Sequence, residues 1–504
     1  MNLLLSKYKD FWISAIIILA SGVMLLTNLG NQYLWQDEAQ TALISETILD
    51  RGLPYGFNGK NFLSQELGVE YGDDYIWKWH TWFPFYLQAG FFKLLGGNTF
   101  TARLPFALIG MLAIVATFFF TRELLKSDKV ATATTVLLLC SVPFLLLMKQ
   151  ARIYSPIALF SVLSLWSYSR LLQGEKRSGW LLVIASTFLF HSHYLYFATL
   201  FATLFIHVLL FHRQLFKRVL IPTVISVGIN LPWIIWLSGM RFREQYNYNL
   251  FDIQRFGDFL VHYLYDLTQY IFSPYLLSIP LLLLANNSIK KTKLFSDDRN
   301  MWQGLALLLL FVAINILTLS IASPGPFFRY MVPVISMLYI IIALMATAAS
   351  RIHITITFLI IGFVVYQNPL KDYFYELTHD FNGPIEGIVQ YLNRYGNEHQ
   401  TVAITYGDMP VKFYTNMRII GGLTGESLAP AKEADWIILR RNVISSKDAI
   451  VGRYLIKNVP WGKYERIIIN YPDTPFENRE NLREHRFRTA IHEPPVILYK
   501  RIKR

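Results

Sequence analysis

The sequence is poor in charge and nearly devoid of cysteine. Only 16% of its 504 residues are Asp, Glu, Lys or Arg, where a soluble domain carries about a quarter. Cys140 is the one cysteine, so no disulfide can form within the chain and a disulfide-stapled scaffold is excluded. There is no repeat at solenoid periods and no low-complexity tract. Neither a Walker loop nor a dinucleotide fingerprint occurs, so the sequence offers no nucleotide pocket. The segments read below as outward-facing hold no Asn-x-Ser/Thr acceptor, which points to a prokaryotic source.

Apolar residues are plentiful. Hydrophobic residues make up 53% of the chain and aromatics 15%, with 29 Tyr and 12 Trp. Runs long enough to cross a bilayer recur near 11–29, 104–121, 130–148, 156–172, 179–191, 194–211, 219–238, 262–285, 302–322, 331–349 and 352–367. The first follows Lys7 and Lys9 and lacks a small-residue cleavage site, so it reads as a retained helix. The expected class is a polytopic α-helical membrane protein with about eleven spans.

A net charge of +13 raises the question of nucleic acid. The cations sit in short loops between apolar runs, however, and topology accounts for them, so no nucleic-acid partner is expected. Arg122, Lys126 and Lys129 share one loop, Arg170, Lys176 and Arg177 the next on that side. Arg213, Lys217 and Arg218 follow, then Lys290, Lys291, Lys293 and Arg299. These alternate loops lie on one side, which the positive-inside rule makes cytoplasmic. Segments 30–80 and 368–504 then face outward, and the expected location is a cell (inner) membrane, crossed many times.

The tail, 368–504, changes character. It reads as helix 384–395, strand 401–406, short helix 408–415, strand 418–422, strand 435–440, and strands near 465–470 and 495–500, an α/β domain that is extracytoplasmic. The expected division is a membrane domain over 1–367, with a first outer loop at 30–101, and the tail over 368–504.

That outer loop begins Trp35-Gln-Asp-Glu-Ala-Gln40. Ala39, Leu43, Ile44 and Ile48 recur at helical spacing, so a half-buried surface helix follows, ended by Gly52 and Pro54. A second apolar helix runs from Trp82 to Leu95. Asp37 reads either as a helix N-cap, with Gln40 completing a capping-box variant, or as a functional carboxylate at the water–membrane boundary. Glu38 reads as a partner for Arg103 or as a first-turn charge favoured by the helix dipole.

Asp37-Glu38 after the first span, the stretch His80-Thr-Trp-Phe-Pro-Phe-Tyr-Leu-Gln-Ala-Gly-Phe-Phe-Lys-Leu-Leu-Gly96, Ala102-Arg103-Leu-Pro105 and Ala151-Arg152-Ile-Tyr-Ser-Pro156 occur in this order. Over residues 30–200 the chain resembles glycosyltransferase family 39, enzymes of the GT-C fold related to protein O-mannosyltransferases and lipid A aminoarabinose transferases. Phe327-Phe-Arg-Tyr-Met-Val-Pro333 is similar to the family's late Arg-Tyr helix start. The resemblance implies a hexosyl or pentosyl transferase, inverting, that moves a sugar from a polyprenyl-phosphate carrier to an acceptor hydroxyl on the outer face. The partners it implies are the lipid-linked donor, a glycan, lipid or protein acceptor, and membrane lipids. It implies no cofactor, and no spacing in the sequence indicates a divalent metal.

Such chemistry needs a carboxylate to take the acceptor proton and cations to hold the departing phosphate. By position the resemblance makes Asp37 the general base, with Glu38 and Arg103 paired beside it. His80 stands where aminoarabinose transferases tend to carry a phosphate-binding Lys, and Lys78 lies two residues earlier. Arg152 matches the family's Arg at the fourth span, and Arg329 is a further phosphate cation or a snorkelling interfacial one. Many relatives have an Asp shortly after that Arg; here Tyr154, Ser155, Pro156 and Ile157 stand there, and Asp73 or Asp74 reads as a substitute or as a solvated pair. His191 and His193 read as substrate, phosphate or metal contacts, or as interfacial hydrogen-bonders. Trp77, Trp79 and Trp82 read as an interfacial belt.

A transporter or flippase of lipid-linked sugars is the competing class. Transporters place ionisable groups in mid-membrane and show paired repeats; here the span interiors are nearly free of charge and the carboxylates cluster in a loop. A polysaccharide polymerase or ligase would share the donor, but the early Asp-Glu pair argues against it.

Overall fold

The computed structural model describes residues 2–238, 252–271, 273, 299–351, 353–441, 448–475, 479, 481–490 and 492–502. By internal packing the chain divides into two compact units, 1–27 with 106–371 and 28–105 with 372–504. The outer loop, assigned to the membrane part from sequence, therefore packs with the tail.

The helices run α1 (Asn2–Leu26), α2 (Gln36–Arg51), α3 (Phe83–Leu95), α4 (Thr99–Leu125), α5 (Asp128–Leu139), α6 (Val142–Lys149), α7 (Tyr154–Leu172), α8 (Ser178–Ser192), α9 (Tyr194–Phe211), α10 (Phe216–Ser238), α11 (Ile253–Tyr270), α12 (Arg299–Ala322), α13 (Val332–Ala349), α14 (Ile354–Tyr366) and α15 (Leu370–Thr378). Among the described residues, six are long and apolar enough to cross a membrane, or up to eight if each of two bent pairs is one span. The other expected helices fall below this length and apolarity for physical reasons, and α8 was expected to be one of two shorter ones around His191. The helix α8 has 15 residues, about 22 Å at 1.5 Å per residue, against a hydrocarbon core of about 30 Å. Ser155, Ser161, Ser164, Ser167 and Ser169 make α7 less apolar. Where one span was expected over 262–285, α11 stops at Tyr270; residues 274–285, and Lys290, Lys291 and Lys293, lie outside the described residues.

The expected span 130–148 is broken, with α5 and α6 meeting at 71°. Pro143 inside one continuous helix would clash with the carbonyl four residues back. The chain instead stops at Leu139 and restarts, with Ser141 accepting a bond from the Phe144 N–H. A second break, at Asn368-Pro369, meets the first: Asn368 Oδ1 accepts the Val142 N–H at 3.0 Å, and its amide donates to Val364 O at 2.8 Å. Gly110 allows α4 close to α6, since a Cβ there would lie 2.8 Å from Met148 Cβ.

In the other unit the tail adds α16 (Pro384–Tyr395), β1 (Thr401–Ile404), α17 (Asp408–Tyr414), β2 (Arg418–Gly421), β3 (Trp436–Ile438), α18 (Asp448–Asn458), β4 (Tyr464–Pro472) and β5 (Pro495–Arg501). The sheet order is β2-β1-β3-β5-β4; β1 runs parallel to β2 and β3, and β5 antiparallel to β3 and β4. Strand alternation sorts the core. Val402, Ile404, Trp436 and Ile438 face Ile385, Ile388 and Leu392 of α16, whereas Ala403 and Ile437 face Val451 and Leu455 of α18.

The outer loop is stitched to this domain by backbone-level bonds. Asn61 accepts the Ile419 N–H at 2.8 Å and donates to Met417 O at 3.1 Å, closing the free edge of β2. The Leu67 N–H donates to Leu423 O at 2.8 Å. Gly425 is required there: its φ is +77°, and a Cβ would fall 2.4 Å from Leu67 O.

Candidate active site

Trp35 is the N-cap of α2, and Gly52, in the left-handed conformation, ends the helix. Asp37 is therefore at the second helical position, in the first turn and half-buried. The cap reading weighed for Asp37 does not hold. The cap's own N–H bonds to Glu38 Oε2 at 3.4 Å, and the Gln40 amide donates to Leu63 O at 2.8 Å instead of forming a capping box. A carboxylate in this turn meets the positive end of the helix dipole.

Glu38 and Arg103 form a buried fork. Arg103 Nε donates to Glu38 Oε1 at 2.9 Å and Nη2 to Oε2 at 2.7 Å. Its remaining donors bond the carbonyls of Leu29 at 3.0 Å, Gln32 at 2.8 Å and Tyr33 at 3.3 Å. All five guanidinium N–H groups are thus satisfied, tying the start of α4 to the chain entering α2.

Two tail elements meet the same helix start. The Gln36 amide donates to Asp408 Oδ1 at 2.6 Å, and Asp408 Oδ2 accepts Lys412 Nζ at 2.5 Å. The Arg479 guanidinium lies 5.6 Å from the Trp35 ring centroid, bonds Tyr406 Oη at 2.6 Å and pairs with Glu484 at 2.8 Å.

The other candidates are placed as follows. His80 is half-buried and stacked on Trp77, with centroids 6.4 Å apart. Lys78 is paired with Asp74 at 3.3 Å near the surface, Asp74 also accepts the Ile76 N–H at 3.1 Å, and Asp73 is exposed. Trp77 is fully buried, so it is a core residue and not part of an interfacial belt; the Trp82 indole donates to its carbonyl at 2.9 Å. In the helical unit, Arg152 and Tyr154 are buried at the turn into α7. His193 caps α9 by accepting the Leu195 N–H at 3.3 Å, and His191 meets Trp233 edge-on at 5.2 Å, so the two rings have separate partners. Arg329 lies in the turn Phe328–Met331, 4.6 Å from the Phe327 ring centroid. Among the described residues, no three His, Cys, Asp or Glu side chains gather in a way that could hold a metal ion.

Comparison with solved structures decides the fold. ArnT from Cupriavidus metallidurans in the apo state superposes with a TM-score of 0.55 at 13% identity, over 98% of each chain. The fold is that of the GT-C glycosyltransferases. The same ArnT bound to undecaprenyl phosphate gives 0.51 at 13% identity, over 97% of this chain and 98% of that one. The archaeal oligosaccharyltransferase AglB from Archaeoglobus fulgidus, in complex with an inhibitory peptide and a dolichol phosphate, gives 0.53 at 11% identity, over 92% of this chain and 73% of that one. Residues 79–236 match the family model described as dolichyl-phosphate-mannose-protein mannosyltransferase. No curated protein matches in sequence.

Within this GT-C fold the match contains His80, Arg103 and Arg152, whereas Asp37 and Arg329 lie outside it. The residues that sequence reasoning missed are Asp408, Lys412, Tyr406 and Arg479. No spacing links position 408 or 479 to positions 35 and 36; only the folded unit brings them together.

Proposed function

We propose that this protein is an integral-membrane GT-C glycosyltransferase that moves a sugar from a polyprenyl-phosphate carrier to an acceptor hydroxyl on the extracytoplasmic side, with Asp37 as general base. The observation that carries the reading is the position of Asp37. It stands half-buried in the first turn of α2, between Gln36 and Glu38, whose side chains are committed to buried partners. A fold shared with ArnT over nearly the whole chain supports the donor class.

In the step proposed, the acceptor oxygen attacks the anomeric carbon as the bond from that carbon to the carrier phosphate breaks. The hydroxyl proton passes to the Asp37 carboxylate, and the electron pair leaves with the phosphate. Attack opposite the leaving group inverts the anomeric centre. His80 and Arg152 stand at positions that the resemblance links to the departing phosphate, and Arg329 is a further candidate cation; Lys78 is the weaker candidate because Asp74 engages it.

A placed base contributes about 10²–10⁴ in rate. Because the cap is Trp35 and not Asp37, Asp37→Asn leaves the helix start intact. This variant should insert and fold as the wild type does. Release of carrier phosphate from polyprenyl-phosphate mannose, glucose or arabinose, in the presence of a membrane extract as acceptor source, should fall by about 10² or more. Near-wild-type release would remove Asp37 from the chemistry and turn attention to Asp73 and Asp74.

A further inference from the structure

Trp35, Gln36 and Glu38, at the start of α2, are each fastened by a different part of their unit. Trp35 is held under Arg479, Gln36 by Asp408 and Glu38 by Arg103, with Asp37 between the last two. Successive helical residues are about 100° apart around the axis, so Gln36 and Glu38 project about 200° apart, on nearly opposite sides. Anchoring both fixes the rotation of the first turn, and with it the direction in which Asp37 points.

The Glu38 anchor belongs to the outer loop and the start of α4. The Gln36 anchor comes from the tail and has an unusual construction. Asp408 and Lys412 are an ion pair, one turn apart on α17, with both side chains fully buried. Such a pair is a poor stabiliser, since desolvation offsets the attraction and an apolar replacement is often neutral. What the pair supplies is a fixed carboxylate. Its Oδ1 takes the Gln36 amide, and Gln36 Oε1 in turn accepts the Met409 N–H at 3.4 Å, so the amide is gripped at both ends. Gly422 makes room for that carboxylate: its φ is +64°, and a Cβ there would fall 2.2 Å from Asp408 Oδ1.

We propose that Asp408, held by Lys412, is a positioning residue that acts through Gln36 to aim Asp37 at the acceptor hydroxyl. This rests on the reading of Asp37 as general base. The tail then tunes the chemical step and does not merely cover the outer loop. A displacement of about 1 Å at a reacting group can cost about 10²-fold in rate.

The test uses the full-length protein in lipid nanodiscs, with the carrier-release assay above. Gln36→Leu cuts the link at one end; Asp408→Leu with Lys412→Leu removes the whole ion pair without leaving a lone buried charge. Both should lower kcat about ten- to a hundredfold and leave KM for the lipid donor unchanged. Combining all three substitutions should be no worse than either set alone, because they remove the same link. Circular dichroism and thermal melting report folding; if the Leu pair does not fold, Gln36→Leu decides alone. Wild-type kcat in folded Gln36→Leu, or a loss confined to KM, overturns the proposal. Asp37→Asn serves as the control: if it is inactive while Gln36→Leu is fully active, only the positioning role fails. If Asp37→Asn retains transfer, the base assignment falls, and the positioning role with it.

Discussion

The helical unit buries its ion pairs less deeply than the outer-loop–tail unit does, although the latter also carries exposed ones such as Lys78–Asp74 and Arg488–Asp372. In the first, the ion pairs Lys9–Asp128, Asp10–Arg122 and Glu123–Arg170 join helix ends, with side chains 26–60% exposed. In the second, Glu38–Arg103, Asp408–Lys412, Arg440–Asp473 and Glu376–His485 are at most 7% exposed. Taking an ion out of water costs several kcal/mol, and its partner returns that only with good geometry. The second unit therefore spends stability on fixed directions, and its most buried fork lies beside the carboxylate proposed to do the chemistry. The helical unit is specified by apolar packing, as suits a surface facing lipid tails.

The sharpest way to break this contrast is Arg103→Ala. It strands Glu38 without its cation and removes the donors to the Leu29, Gln32 and Tyr33 carbonyls. Removing one partner of a buried pair costs about 3–5 kcal/mol. The variant should lose protease resistance across 28–105 in detergent, and Arg103→Lys should not restore it, because an ammonium cannot form the fork. Wild-type proteolysis of Arg103→Ala would mean that the pair is ornamental and the contrast carries no energy.

Much of this architecture was legible in the sequence, and the failures have a pattern. The tail could be read almost strand by strand: helix 384–395 was placed without error, and β1, β2, β4 and β5 fall within a few residues of expectation. Short apolar runs such as Val402-Ala-Ile404 and Trp436-Ile-Ile438, bounded by polar segments, carry a strand signal in the sequence itself. The Glu38–Arg103 pair was also anticipated. Missing were the break at Ser141, although Pro143 signals it, the helices α15 and α18, and the burial of Trp77. Nothing local could place Asp408 against Gln36 or Arg479 over Trp35, since those contacts join chain segments hundreds of residues apart.

A second test probes a buried carboxylate without a cationic partner among the contacts described. Glu70 is almost fully buried; it accepts the Gln65 N–H at 2.6 Å, the Glu66 N–H at 3.0 Å and the Ser64 hydroxyl. Burial outweighs these bonds and raises its pKa from 4.5 to about 7. The folded state thus binds the proton more tightly than the unfolded chain, so folding takes up a proton between those values. Stability is highest below the unfolded pKa, falls as pH rises to about 7, and is level above. At about 1.4 kcal/mol per unit the full loss is about 3 kcal/mol. Glu46 is raised to about 7 as well, by burial and the Asp50 charge, and contributes over the same window. Glu70→Gln should therefore remove about half of the pH dependence of hydrogen exchange in residues 54–80 between pH 5 and pH 8. An unchanged slope would show that burial in this unit does not govern its acids.

The smallest effect is expected in the helical unit. Arg122 forks onto Asp10, with Nη1–Oδ1 at 2.6 Å and Nη2–Oδ2 at 3.2 Å, and also lies 4.8 Å from the Phe119 ring centroid. The geometry is as good as that of Arg103. What differs is water: the two side chains are 26% and 36% exposed. Solvent screens such a pair and rehydrates either ion when its partner is lost, so the net contribution is about 0–1 kcal/mol. Arg122→Ala should shift thermal unfolding by no more than a degree or two, and raising salt should shrink even that difference. Similar losses for Arg122→Ala and Arg103→Ala would mean that fork geometry, and not burial, sets the energy of these pairs, and the distinction between the two units would have to be drawn elsewhere.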